Sequence, residues 1–282
     1  MKTYENLSFD NERALYGERD VYIRDCNFDG PADGESALKE ARDITAERCF
    51  FNLRYPFWHC DGVKIWNCEM TENCRAALWY SSDIEIVGGK YDGIKALREC
   101  NNVFVSQCDV VSPEFGWFSS DIKACECKIE GEYCMLRAKN LNFSGIDFKG
   151  KYSFQYIENS IFENCNFDTK DAFWHAKDVT VRNCTVKGEY LAWYCENLIF
   201  ENCTIIGTQP LCYCKNLRLI NCKMIDCDLS FEKSSVIAEI EGHIDSVKNA
   251  ESGKITADSI GEIIDEFGCC EIIEKSKKYA TN

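Results

Sequence analysis

Thirteen short blocks, spaced almost evenly along 282 residues, constrain this chain more than any other feature. Asn164-Cys165-Asn166-Phe167, Asn183-Cys184-Thr185-Val186, Asn202-Cys203-Thr204-Ile205 and Asn221-Cys222-Lys223-Met224 each follow the last by 19 residues. Extended both ways, the register puts central positions at 7, 26, 49, 68, 89, 108, 127, 146, 165, 184, 203, 222 and 241. Ten of the twelve intervals are 19, and the other two are 23 and 21. A period of that length kept in phase marks a stacked-repeat architecture.

The columns of the repeat decide which one. Two residues after the centre an apolar residue recurs, as in Phe28, Phe51, Met70, Val110, Phe167 and Val186. Three and five residues before it stand further apolar pairs, such as Val63 with Ile65, Ile84 with Ile86 and Leu198 with Phe200. Apolar residues two apart have the period of strands, in runs too short for helices. Asn or Asp recurs six before the centre (Asp20, Asp43, Asp83, Asn102, Asp121, Asn140, Asn159, Asp178, Asn197, Asn216), and glycine four after it (Gly30, Gly93, Gly131, Gly150, Gly188, Gly207). Asn and Asp tolerate the left-handed backbone of tight corners, and Asn can bond its equivalents above and below. The expected fold is all-β: a right-handed single-stranded parallel β-helix, or β-solenoid, of about 19 residues and three short strands per rung. A sandwich would need hairpin signals in every repeat, and the Asp-Gly pairs here do not recur that way. The register predicts one domain over residues 1–282. Residues 1–15 form a partial first rung, 16–235 regular rungs, and 236–282 degenerate last rungs with a cap.

The pattern resembles the right-handed β-helix superfamily typified by pectate lyases and polygalacturonases. The opening stretch, Glu12-Arg13-Ala14-Leu15-Tyr16 through Glu35-Ser36-Ala37-Leu38-Lys39-Glu40 to Arg54-Tyr55-Pro56-Phe57-Trp58-His59, is similar to an uncharacterised bacterial family within it, a domain of unknown function. That resemblance covers nearly the whole chain and implies a fold rather than a chemistry. Hydrolase members of the superfamily use Asp pairs with Gly-His-Gly and Arg-x-Lys segments. Here Gly242-His243-Ile244 lacks the second glycine, and no Asp-Asp pair occurs.

Twenty cysteines need a reading. Nine fill the central column, and Cys60, Cys100, Cys195 and Cys214 stand eight before it. Columns that also accept Gly, Ala, Ile and Ser select small side chains, so buried reduced thiols are expected. Stacking at about 4.8 Å keeps Cβ atoms too far apart for an easy disulfide, which needs about 3.8 Å. Metal binding is the sharper alternative, but Cys125-x-Cys127, Cys212-x-Cys214 and Cys269-Cys270 lack zinc-site spacing. No metal and no cofactor is expected: phosphate-loop, dinucleotide and nucleophile-elbow motifs are all missing. A net charge of −15 argues against nucleic acid and anionic membrane surfaces as partners, while leaving a specific homo-oligomer open. With no secretory leader and this cysteine usage, a cytoplasmic setting is expected.

Function points to the third strand. Ten before the centre stand Lys39, Trp58, Trp79, Arg98, Trp117, Trp174 and Trp193, and nine before it stand Glu40, His59, Tyr80, Glu99, Phe118, Tyr156, His175, Tyr194 and Tyr213. Strand alternation would turn one of these columns outward. An exposed aromatic strip suits sugar rings, with a protein partner as the other occupant; the competing arrangement is an interior aromatic stack. Both insertions, Asp29 to Gly34 and Thr71 to Arg75, fall in the corner leading into this strand. The candidate ligand-binding residues are therefore Lys39, Glu40, Arg54, Trp58, His59, Trp79, Tyr80, Arg98 and Glu99. Two functions remain open. One is a non-catalytic binding or scaffold solenoid for a carbohydrate-like ligand or protein partner. The other is a divergent carbohydrate-active enzyme, lyase-like or hydrolase-like, with His59, Glu40 and Arg54 as its acid–base centre.

Overall fold

The computed structural model describes residues 1–30, 35–266 and 268–275. They form two compact units, Met1–Asp147 and Phe148–Asn282. Each is a parallel β-solenoid.

In the first unit, Arg19–Arg24, Arg42–Glu47, Asp61–Met70, Ser82–Asp92, Asn101–Ser106, Ser120–Cys125 and Lys139–Ser144 pair in parallel, one strand per rung. The register runs Val21, Ile44, Val63, Ile84, Val103, Ile122, Leu141, so the 23- and 21-residue intervals are absorbed without a slip. Those residues are buried, as are Ile65, Ile86, Val105 and Phe143 two places on. Phe9, Phe28 and Phe51 stack with centroids 4.8 Å apart at both steps, the spacing of the strands that carry them.

The second unit repeats the plan with Glu158–Glu163, Lys177–Arg182, Glu196–Glu201 and Leu217–Ile225. Phe154, Phe162, Phe167 and Phe173 fill its interior. Past residue 235 the rungs continue but shorten: Val236 pairs with Gly253, Gly253 with Cys270, and His243 with Ser259.

Corner residues adopt the expected left-handed backbone. Asp83, Asn102, Asp121, Asn140, Asn197 and Asn216 have φ of 51–57°. Their side chains bond between rungs, Asn140 Nδ2 to Asp121 Oδ1 at 2.9 Å and Asn216 Nδ2 to Asn197 Oδ1 at 2.8 Å.

The thiols do more than fill space. Cys60, Cys100, Cys195 and Cys214 are free and buried. Cys60 Sγ donates to Leu38 O of the preceding rung at 3.0 Å, Cys195 to Phe173 O at 2.8 Å and Cys214 to Ala192 O at 2.9 Å. Ser81 and Ser234, in the same column, donate to Phe57 O and Leu211 O, each at 2.7 Å. Ala41, Ala138, Ile157 and Ala176 fill the same slot without a donor, so it admits a small or apolar side chain and uses a donor where one is present. Burial pushes the Cys60 thiol up to about 12, so it stays protonated and able to donate. Cys60→Ser should keep this bond. Cys60→Ala should remove it, leaving Leu38 O with Ala41 N alone at 3.1 Å, at a cost of about 0.5–1.5 kcal/mol. Urea midpoints decide it: an alanine variant as stable as the serine variant would make the slot purely steric.

Candidate functional site

The third side of the rung departs from the expected strand. Among the described residues only Leu78–Trp79 and Leu97–Arg98 pair there as strands, and elsewhere in the regular rungs the segment is built of turns and isolated bridges. The residue nine before each centre from 26 to 222 has positive φ, as in Glu40 59°, His59 57°, Tyr80 55°, Glu99 51°, His175 56° and Tyr194 59°. One left-handed residue breaks the alternation of faces. Leu38, Phe57 and Leu78 point inward before the pair, and Ala41, Cys60 and Ser81 after it. Both columns between them lie outside. The tryptophans are half-buried rather than interior, while Tyr80 is 42% exposed, Phe118 45% and Tyr194 46%.

Backbone bonds hold this side in register. His59 N donates to Trp79 O at 2.9 Å and Tyr80 N to Arg98 O at 3.1 Å. A bulky residue in the left-handed region costs about 1–2 kcal/mol. A stacked aromatic pair returns about 0.5–1.5 kcal/mol. Stacking thus accounts for aromatic residues where glycine or asparagine would be easier.

In the first unit the candidate residues make two adjoining columns. Lys39 Nζ lies 4.2 Å from the Trp58 ring centroid, Trp58 stacks on Trp79 at 6.0 Å, and the Arg98 guanidinium sits 5.1 Å from Trp79 and 5.7 Å from Trp117. Each indole is covered by a cation, another indole, or both. In the outer column Tyr16 Oη donates to Glu40 at 2.7 Å, His59 packs on Tyr80 at 5.0 Å, and Arg98 Nε donates to Glu99 at 3.2 Å. Arg54 stands apart, across the corner, 3.6 Å from Glu35. Among the described residues no carboxylate comes within hydrogen-bonding distance of His59. Glu40 and His59 are neighbours in one column, and Arg54 is ion-paired with Glu35. Asp29 to Gly34, the first insertion, lies largely outside the described residues.

The second unit, which carries neither insertion, holds the more regular array. Tyr156, His175, Tyr194 and Tyr213 stack with centroids 4.7, 5.1 and 4.8 Å apart and planes within 12° of parallel. Beside them Trp174 and Trp193 stack at 5.3 Å, their indole N–H groups donating to Tyr190 O and Gln209 O. Partial burial lowers the pKa of His175, which keeps it neutral at pH 7.

Along the stack of Tyr156, His175, Tyr194 and Tyr213 the ring faces are turned to one another, which leaves the exposed surface of Tyr156 and Tyr194 to their edges, while Tyr213 Oη donates to Glu232 at 3.2 Å.

A separate groove of about 640 Å³ lies on the strand side of the first unit, lined among others by Asp43, Asp83, Asp121, Lys64, Phe104 and Lys123. Bonds from Asn140, Ser120 and Asn101 hold the Asp121 carboxyl below its ordinary range. Among the described residues no group of three or more His, Cys, Asp or Glu side chains is placed to hold a metal ion, and no helix is long and apolar enough to cross a membrane.

Fold and surface together define a parallel β-solenoid with two outward columns of aromatic and charged residues on its turn side. The family model that matches residues 2–273 is described as a protein of unknown function (DUF3737), and the chain belongs to that family. No curated protein matches it. Among solved structures it is similar to the A-module of a mannuronan C-5 epimerase from Azotobacter vinelandii (10% identity, 97% of this chain and 89% of that one, TM-score 0.35). A mannuronic acid specific polysaccharide family 6 lyase from human gut microbiota gives 9% identity, 98% and 76% coverage and a TM-score of 0.43. A surface adhesin of Streptococcus pneumoniae gives 9%, 82% and 76%, and 0.37. At these TM-scores none of the three bears on the chemistry of the site.

Proposed function

We propose that the protein is a binding scaffold whose turn side recognises a protein partner through aromatic edges and their polar atoms. The observation that carries this reading is the stack Tyr156–His175–Tyr194–Tyr213, whose rings face one another and whose Tyr156 and Tyr194 are exposed. Tyr and Trp are enriched at protein interfaces because they offer a large rigid surface with a polar tip at low entropic cost. A carbohydrate-like ligand loses its main attraction once the ring faces are occupied. An enzymatic role on this side lacks converging titratable groups. The buried free thiols support a reducing, cytoplasmic setting.

The test is a triple variant, Tyr156→Ser, Tyr194→Ser and Tyr213→Ser, compared with the parent in affinity capture from the source cells and on a glycan array. Loss of about 2 kcal/mol at such anchors corresponds to a drop in partner recovery of roughly thirtyfold. Partner recovery unchanged by the substitutions would sink the proposal. Glycan binding abolished by the same substitutions would replace it with the carbohydrate reading.

A further inference from the structure

Past residue 241 a different chemistry takes over the outer surface. His243 and Ser259 are register partners on the parallel strands His243–Lys248 and Ser259–Ile264. Their neighbours Ile244 and Ile260 are buried, so His243 and Ser259 face outward. His243 Nδ1 lies 2.9 Å from Ser259 Oγ. On the other side of the ring, Nε2 is 3.7 Å from Asp245 Oδ1, on the same strand and face two residues along. That separation is an ion-pair distance, too long for a hydrogen bond. It still favours the tautomer with its proton on Nε2, which leaves the Nδ1 lone pair directed at the serine hydroxyl. A serine next to such a base is the arrangement that activates an otherwise weak nucleophile.

Two further features make room for a substrate. A Cβ on Gly261 would lie 2.5 Å from Asp245 O, so only glycine fits, and the same point is 3.4 Å from His243 Nε2. The missing side chain leaves the edge of the imidazole open. Beside His243 and Asp245, though not reaching Ser259 itself, is a cleft of about 550 Å³ lined also by Lys223, Ile225, Asp226 and Glu241. Lys223 lies 3.8 Å from Glu241, leaving Asp226 and Asp245 to give the cleft a net negative character unsuited to anionic substrates.

We propose that Ser259, His243 and Asp245 form a nucleophilic site for small neutral carboxylic esters, separate from the aromatic turn side. Ser259 Oγ attacks the ester carbonyl carbon as its proton passes to His243 Nδ1. The carbon–alkoxy bond then breaks and the alcohol leaves with that proton. Water, deprotonated by the same nitrogen, attacks the acyl-serine, releasing the acid and returning the proton to Ser259. Asp245 is a positioning residue, holding the tautomer and balancing the charge of the imidazolium.

The full chain treated with an alkyl fluorophosphonate provides the test. A P–O bond to Ser259 would form as the P–F bond breaks, fluoride leaves and the proton goes to His243. Peptide mass spectrometry should place the adduct on Ser259, at a rate well above that of exposed Ser252 in the same molecules. His243→Gln should slow labelling by about 10²–10⁴-fold, and Asp245→Asn should slow it less, with p-nitrophenyl acetate hydrolysis falling in the same order. Labelling of Ser259 no faster than Ser252 overturns the site, and that comparison needs no variant. Equal labelling in a folded His243→Gln protein overturns it too.

Discussion

Replacing Phe173 by alanine is expected to lower the unfolding free energy by about 3–5 kcal/mol. The ring is fully buried and sits among Phe154, Phe162 and Phe167, with centroids 5.2, 5.5 and 5.7 Å away. Its backbone is pinned on both sides: Phe173 N donates to Ser153 O at 2.9 Å, and Cys195 Sγ donates to Phe173 O at 2.8 Å. The cost of a large-to-small change depends on how far the surroundings can collapse. Here collapse is opposed by the rungs, since moving one strand toward the gap breaks bonds to its neighbours above and below. Phe9 offers the comparison. It is half-buried, stacking on Phe28 at 4.8 Å with a Tyr4 edge 6.0 Å away, so Phe9→Ala should cost clearly less. Urea unfolding of both variants checks the pair. Similar losses would mean that the phenylalanine interior of the second unit relaxes as freely as an edge.

The repeat was readable because strand alternation and corner residues are local signals. Val63, Ile84 and Val103 are buried partners at the positions their spacing assigns, and Asn102 and Asn140 hold φ of 54° and 56°. The turn side was not readable by the same rule. Alternation requires extended backbone throughout, whereas His59, Tyr80 and Tyr194 are left-handed and carry none of the glycine or asparagine that would announce it. A signal was nonetheless there. The inward residues flanking the pair, Phe57 with Cys60 and Leu78 with Ser81, lie three apart, a spacing that a strand does not place on one face.

The candidate site shows the same division. Lys39, Trp58, Trp79 and Arg98 share a column in the sequence and share one in the structure, since register alone decides it. Which atoms of a ring face the solvent depends on rotamers and stacking, and column positions say nothing about those. His243 and Ser259 were hidden for another reason. At the 19-residue period the partner of His243 would be Glu262, and the shortening of the last rungs puts Ser259 beside it instead. Once the cysteines and corner asparagines stop, nothing in the residues fixes the rung length, so a juxtaposition that depends on it is invisible.

Gly188→Ala tests a corner of the fold where a side chain has no room at all. A Cβ built there would lie 1.6 Å from Thr169 O and 2.6 Å from its carbonyl carbon, on the rung beneath, and the backbone has φ of 156°. The corner cannot open by sliding, because Gly188 N donates to Ile206 O at 2.8 Å and Thr169 N donates to Lys187 O at 2.8 Å. Any movement that clears the methyl group weakens one of these bonds. Backbone strain of about 1–3 kcal/mol then adds to about 1–3 kcal/mol of overpacking, for an expected loss of about 2–6 kcal/mol. Gly17→Ala isolates the conformational part, since Gly17 has φ of 66° but nothing within 4 Å of its would-be Cβ. Its cost should stay near the 1–2 kcal/mol of one left-handed residue, a strain this chain already bears at Asn, Asp, Tyr and His positions on every regular corner. The denaturation midpoints of the two variants should therefore separate clearly. If they coincide, glycine at this corner is chosen for backbone freedom alone, and the close approach of successive rungs is soft enough to admit a methyl group.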